Sequence, residues 1–193
     1  MGRKKPVIVL AISGASGSLY GKEIFEALFS VGIEIHLIIT DTATKIMKDE
    51  ISLDLSFFSK PGVICHDNHR FDVPVASGSF LTSGMVIAPC SMGCLGRIAS
   101  GVSSDLLTRV ADVHLKEGRK LILLPRETPL SAIHLENMFK LSRAGATIMP
   151  PMPPHTSRPA SVADMAKIMA SRVLDQLGIE NDLSPRYEGA QRA

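Results

Sequence analysis

Arg126 and Glu127 put a fixed cation and a carboxylate side by side, between Pro125 and Pro129. The two prolines restrict the backbone around the pair. An arginine fork can grip an anionic group, and a carboxylate beside it stays ionised and can accept a proton. The run just before them, Leu121-Ile-Leu-Leu124, is short and wholly apolar. It reads as a buried strand, and open α/β sheets bind ligands at the carboxyl ends of such strands. The other reading is a surface turn with a weak local ion pair.

Other polar groups also follow apolar runs. Ser13-Gly-Ala-Ser-Gly17, with Gly21, follows Val7-Ile-Val-Leu-Ala-Ile12. Glycines let a backbone approach a ligand, and amides at a helix start attract anions. The spacing fits neither the dinucleotide fingerprint nor a P-loop, so an ordinary glycine turn and an anion site both stay open. Thr40-Asp-Thr-Ala43 sets hydroxyls at another helix start, where a cap and a ligand contact can coexist. Cys90 and Cys94 stand four apart, and Cys65-His-Asp-Asn-His69 is rich in metal-ligand types. Neither spacing matches a zinc site, so no metal is expected, and Cys90 reads as a buried packing residue. By residue type alone, Lys116 and Arg172 are solvated helix positions.

Elements that must position these groups follow from periodicity. Strands are expected at 7–12, 33–39, 85–88, 120–124 and 146–149. Helices are expected at 20–31, 43–50, 95–101, 106–117, 131–144 and 162–177, the last ended by Gly178. Residues 51–75, with Pro61 and Gly62, read as irregular. Alternating strands and helices imply one doubly wound α/β domain, Rossmann- or flavodoxin-like, with a parallel sheet flanked by helices. It is expected over residues 1–180, with a polar tail at 181–193. Ser16, Thr40, Ser91, Arg126 and Glu127 then share one rim of the sheet, provided the strand order brings them together.

Composition narrows the function classes. Hydrophobic residues make up 45% of the 193, which suits a globular chain with a full core. Lys plus Arg is 21 against 19 for Asp plus Glu. That balance argues against a nucleic-acid or membrane surface, so any bound anion must be held by local groups. Three cysteines and no evident leader point to the cytoplasm.

Taken in order, Gly14-Ala-Ser-Gly17, Ala76-Ser-Gly-Ser-Phe80, Pro89-Cys-Ser91, Ala111-Asp-Val-His-Leu-Lys-Glu117, Pro125-Arg-Glu-Thr-Pro-Leu130, Ile133-His-Leu-Glu-Asn-Met138 and Ile148-Met-Pro-Pro151 resemble the flavin prenyltransferase family of UbiX type. The resemblance runs from about residue 6 to 187. It implies a homo-oligomer, a dodecamer, that binds FMN and, with the flavin reduced, attaches a dimethylallyl group to it. The implied donor is dimethylallyl phosphate, without a metal, and the prenylated FMN serves a UbiD-type decarboxylase. By resemblance, Gly14, Ala15, Ser16 and Thr40 contact FMN, and Ser91, Met92, Gly93, Cys94 and Arg126 complete its site. Lys116, Glu127 and Arg172 handle the donor phosphate and proton transfers. Glu50 is a further active-site carboxylate, and Ser16 relays a proton.

Two positions depart from the family pattern. Thr156, within Pro154-His-Thr-Ser-Arg-Pro159, stands where the family has a donor-binding tyrosine, and His155 or Ser157 can compensate. Tyr187 stands where a tryptophan often faces the allyl cation, and it keeps a somewhat weaker cation–π face. A non-catalytic flavin carrier is a second reading. A flavin-dependent decarboxylase of the cysteine decarboxylase superfamily is a third. It is disfavoured because the first helix lacks a histidine and Pro89-Cys-Ser-Met92 replaces an Asn-rich motif.

Overall fold

Val7–Ile12 (β1) is apolar because both its faces are covered. Ile8, Leu10 and Ile12 point into one buried cluster, and Val9 and Ala11 into another. The computed structural model, which describes residues 6–186, repeats this pattern across a six-stranded parallel sheet. The chain continues through α1 (Ser18–Ser30), β2 (Glu34–Ile39), α2 (Asp41–Ile51), β3 (Val63–His66), β4 (Gly84–Cys90) and α3 (Met92–Ala99). It ends with α4 (Leu106–Lys116), β5 (Leu121–Pro125), α5 (Ala132–Arg143), β6 (Thr147–Ile148) and α6 (Val162–Leu177).

The strand order is β3-β2-β1-β4-β5-β6, all parallel. From β1 the chain builds outward to β2 and β3, then returns to lay β4 on the other side of β1. That reversal opens a crevice at the carboxyl ends of β1 and β4, where doubly wound sheets bind ligands. The ends of β2, β1, β4 and β5 are neighbours, so the four expected loops do meet on one rim.

One face of the sheet is covered by α1 and α6 through Phe25, Leu28, Val173 and Leu174. The other is covered by α3 and α4 through Leu95, Ile98, Leu107 and Val110. Phe25 is fully buried and packs edge-on to Phe58 at 4.8 Å, with Phe57 at 5.8 Å. Phe25→Ala is expected to cost about 3–5 kcal/mol through lost burial and a residual cavity. Urea unfolding with an unchanged slope checks this.

β3 lies inside the stretch read as irregular from sequence. It pairs with β2 from Ile35↔Val63 to Ile38↔His66. It forms the sheet edge, and Ile64 and Cys65 are exposed, so it carries no apolar run to betray it. Helices α2 and α3 begin earlier than periodicity places them. Their starts are set by the caps Thr40 and Ser91, whose hydroxyls accept the Ala43 and Cys94 amides.

Candidate active site

Ser13 ties the two sides of the crevice together. Its hydroxyl donates to the Pro89 carbonyl at 3.0 Å and accepts the Ser91 amide at 2.8 Å. The Arg126 amide donates to the Cys90 carbonyl at 3.2 Å, joining the end of β5 to the end of β4. The loops after β1, β4 and β5 therefore form one bonded surface.

A cleft of about 300 Å³ opens on this surface. Thr40, Asp41 and Thr42 from the start of α2 face Ser91, Gly93 and Cys94 from the start of α3, with Ser13 and Gly14 between them. Among the described residues, the Asp41, Thr42, Met92 and Gly93 amides have no internal acceptor. Two helix N-termini with spare amides and capping hydroxyls form an anion site. Arg97 and Asp105 also line the cleft, joined at 3.2 Å, and Arg97 Nε is a buried donor without a partner. A phosphate monoester fits this donor set. Arg97 and Ser13 were not singled out from the sequence, since neither follows a motif spacing.

Two glycines allow the close approach. A Cβ at Gly14 would lie 2.6 Å from the Thr42 side chain, so the turn sits tight against α2. Gly17 has φ of 105°, and a Cβ there would meet the Arg126 side chain at 2.7 Å. Arg126 thus lies across the glycine turn. Among the described residues Arg126 and Glu127 form no ion pair. Glu127 is exposed, and its Oε1 accepts the Thr128 amide at 3.0 Å.

The start of α1 already has its anion. Glu50 accepts the Gly17 amide at 3.0 Å and the Ser18 amide at 2.8 Å through Oε2. This narrows the glycine-turn reading: the Gly17 and Ser18 amides are taken, and the helix-start amides at the cleft belong to α2 and α3. Burial by itself would raise the Glu50 carboxyl, but hydrogen bonds from Ser16, Ser18 and Gly17 outweigh it and hold it below its ordinary range. Glu50 therefore stabilises the fold fully above its unfolded value near 4.5 and stops doing so as pH falls through the lower folded value. Glu50→Gln is expected to lower the melting temperature at neutral pH. The gap to wild type should narrow in melts run at pH falling from near 4.5 and close once pH has passed the lower folded value.

The remaining expected residues fall into two separate groups. Lys116 ends α4 beside the amino end of β5, whereas Arg126 follows its carboxyl end. A five-residue strand spans about 16 Å, so the two lie at opposite ends of the strands. There Lys116 pairs with Glu117, and both crowd Gly78 of the Ala76–Phe80 loop. Arg109 and Arg119 hold that loop through the Ala76 and Phe80 carbonyls at 3.2 and 2.8 Å. Thr156 and Arg172 instead line a cavity of about 530 Å³ against α6. It shares no lining residue with the rim cleft. Tyr187 lies outside the described residues. Cys90 and Cys94 are buried in the core, and His69 pairs with Asp41 at 3.1 Å.

Comparison with known proteins places the chain in a family. A family model described as Flavoprotein matches residues 1–174. The flavin prenyltransferase UbiX of Methanothermobacter thermautotrophicus is 48% identical over 183 residues, covering 95% of this chain and 96% of that protein. A crystal structure of AnUbiX (PadA1) in complex with FMN and dimethylallyl pyrophosphate superposes with a TM-score of 0.93 at 38% identity, covering 97% of this chain and 100% of that one. A dodecameric FMN-dependent UbiX-like decarboxylase from Escherichia coli O157:H7 gives 0.91 at 38% identity, covering 95% and 100%. With nearly the whole chain matched and the crevice loops in place, this protein belongs to the flavoprotein family and, within it, to the flavin prenyltransferases of UbiX type.

Proposed function

We propose that this protein transfers a dimethylallyl group from dimethylallyl phosphate to reduced FMN, and that the prenylated FMN passes to a UbiD-type decarboxylase. The observation that carries the reading is the rim cleft, where two capped helix N-termini and a tight glycine turn meet under Arg126. FMN would be held by Gly14, Ala15, Ser16 and Thr40, by Ser91 to Cys94, and by Arg126. When bound and reduced, it supplies the nucleophilic ring that accepts the allyl group.

The chain's own groups divide the remaining work. Lys116 and Arg172 stabilise the departing phosphate, which lets an allylic ester ionise. Glu127 accepts the proton released at the rim, and Ser16, in the glycine turn that Arg126 crosses, relays it. Glu50 stays ionised under the amides of Gly17 and Ser18, the two residues that follow Ser16.

Lys116 and the Thr156–Arg172 cavity would reach this rim from other copies of the chain in a homo-oligomer, which we take to be a dodecamer. Helix α5 supports such assembly. It buries only Leu141, leaving Ile133 68% and Phe139 70% exposed. Exposed apolar residues of that size suit a contact surface. The unpaired cysteines suit a cytoplasmic site of action. Among the described residues, no helix is long and apolar enough to cross a membrane.

Purified protein given reduced FMN and dimethylallyl phosphate should yield a flavin heavier by one prenyl unit in mass spectrometry. Only unmodified FMN, with mono- and diphosphate donors alike, overturns the proposal.

A further inference from the structure

Asp175 stands one helical turn after Arg172 on α6 and holds two guanidinium groups at once. Its Oδ2 accepts Arg172 Nη1 at 3.1 Å and Arg186 Nη1 at 2.7 Å. Its Oδ1 accepts Asn181 Nδ2 at 3.1 Å. Asn181 is itself fixed: its Oδ1 accepts the Ser171 hydroxyl at 2.7 Å, and its carbonyl accepts Arg186 Nη2 at 3.0 Å. This network folds residues 181–186 back onto α6, so the first part of the polar tail is built into the domain.

Folding back brings Arg186 to the 530 Å³ cavity that Thr156 and Arg172 line. Ser157 and Ser184 add hydroxyls, and Pro154, Ile168 and Pro185 add apolar wall. Two guanidinium groups against one carboxylate leave a net positive charge. Asp175 engages only one Nη of Arg172 and offsets the repulsion between the two cations. A cationic, hydroxyl-bearing cavity with an apolar side suits a phosphate ester of a short hydrocarbon.

We propose that Arg186 is a second ligand for the donor phosphate beside Arg172, and that Asp175 positions both guanidinium groups. This rests on the prenyl-transfer reading and deepens it. It also answers the departure at position 156. A threonine side chain is shorter than a tyrosine's, and Arg186, which lines the same cavity, supplies a further donor.

The test uses the full-length, FMN-loaded protein. Arg186→Ala should raise KM for dimethylallyl phosphate about ten- to hundredfold, the loss expected for a charge-assisted contact, and lower kcat as well, since the phosphate is the leaving group. Flavin affinity and melting temperature should stay near wild type. Arg186→Lys should recover part of the loss, because it keeps the charge without the fork. Asp175→Asn should raise KM as well, and more steeply with added salt. Calorimetric titration with inorganic phosphate should show Arg186→Ala weakening binding in parallel. Unchanged donor KM and phosphate affinity in Arg186→Ala, with both worsened in Arg172→Ala, overturns the proposal. If wild type forms no prenylated flavin, yet Arg186→Ala still weakens phosphate binding, the anion site stands and the prenyl-transfer reading falls.

Discussion

Glu127→Gln is expected to cut prenyl transfer about a hundredfold or more while leaving flavin binding intact. Gln keeps the shape of the side chain and an oxygen that can accept the Thr128 amide, as Glu127 Oε1 does at 3.0 Å. It loses the capacity to take a proton. General-base groups contribute about 10²–10⁴ in rate, so the change falls on turnover rather than on fold. Glu127 is exposed at the end of β5, and no buried network depends on its charge. The measurement pairs single-turnover prenyl transfer with fluorescence titration of FMN. Full turnover in the variant removes Glu127 from the chemistry. If no assay distinguishes the two proteins, the carrier reading gains.

Two inactive variants are expected to restore each other when mixed. Lys116 and Glu127 sit at opposite ends of β5 in one chain, about 16 Å apart along the strand. In the proposed mechanism both act on one small donor molecule, so they would come from different copies. Lys116→Ala and Glu127→Gln chains, each inactive alone, should form mixed oligomers when co-expressed. Random assembly of equally abundant chains leaves about a quarter of the sites with both native residues. Activity of doubly tagged, purified mixtures should approach that fraction of wild type. No recovery means that the two residues do not meet across copies, and the assembly argument fails.

Some of the site was legible because its signals are local. Thr40 and Ser91 cap helices three residues ahead, and the strands before them are continuous apolar runs. The Arg126–Glu127 pair stood out by its place after such a run, and the local ion pair of the surface-turn reading does not form among the described residues, where Arg126 lies over Gly17 instead. Residues without a local signal were missed. Arg97 joins the cleft only through the packing of α3. Arg186, in a stretch read as a polar tail, matters only because Asp175 catches it. β3 was overlooked because an edge strand needs no apolar run.

By itself the sequence determined the alternation of strands and helices, the rim on which polar loops would gather, and the family. Periodicity, capping and turn chemistry act over a few residues, and motif order survives in a linear chain. Only the tertiary structure decided what crosses long stretches of chain. It joined Ser13 to Pro89 across 76 residues, gave Glu50 to Gly17 across 33, and fixed β1 and β4 as neighbours. It also parted Lys116 from Arg126, which stand only ten positions apart, because β5 carries the chain from the amino-end rim of the sheet to the carboxyl-end rim. Such contacts depend on strand order and register, which the packing of the whole core sets.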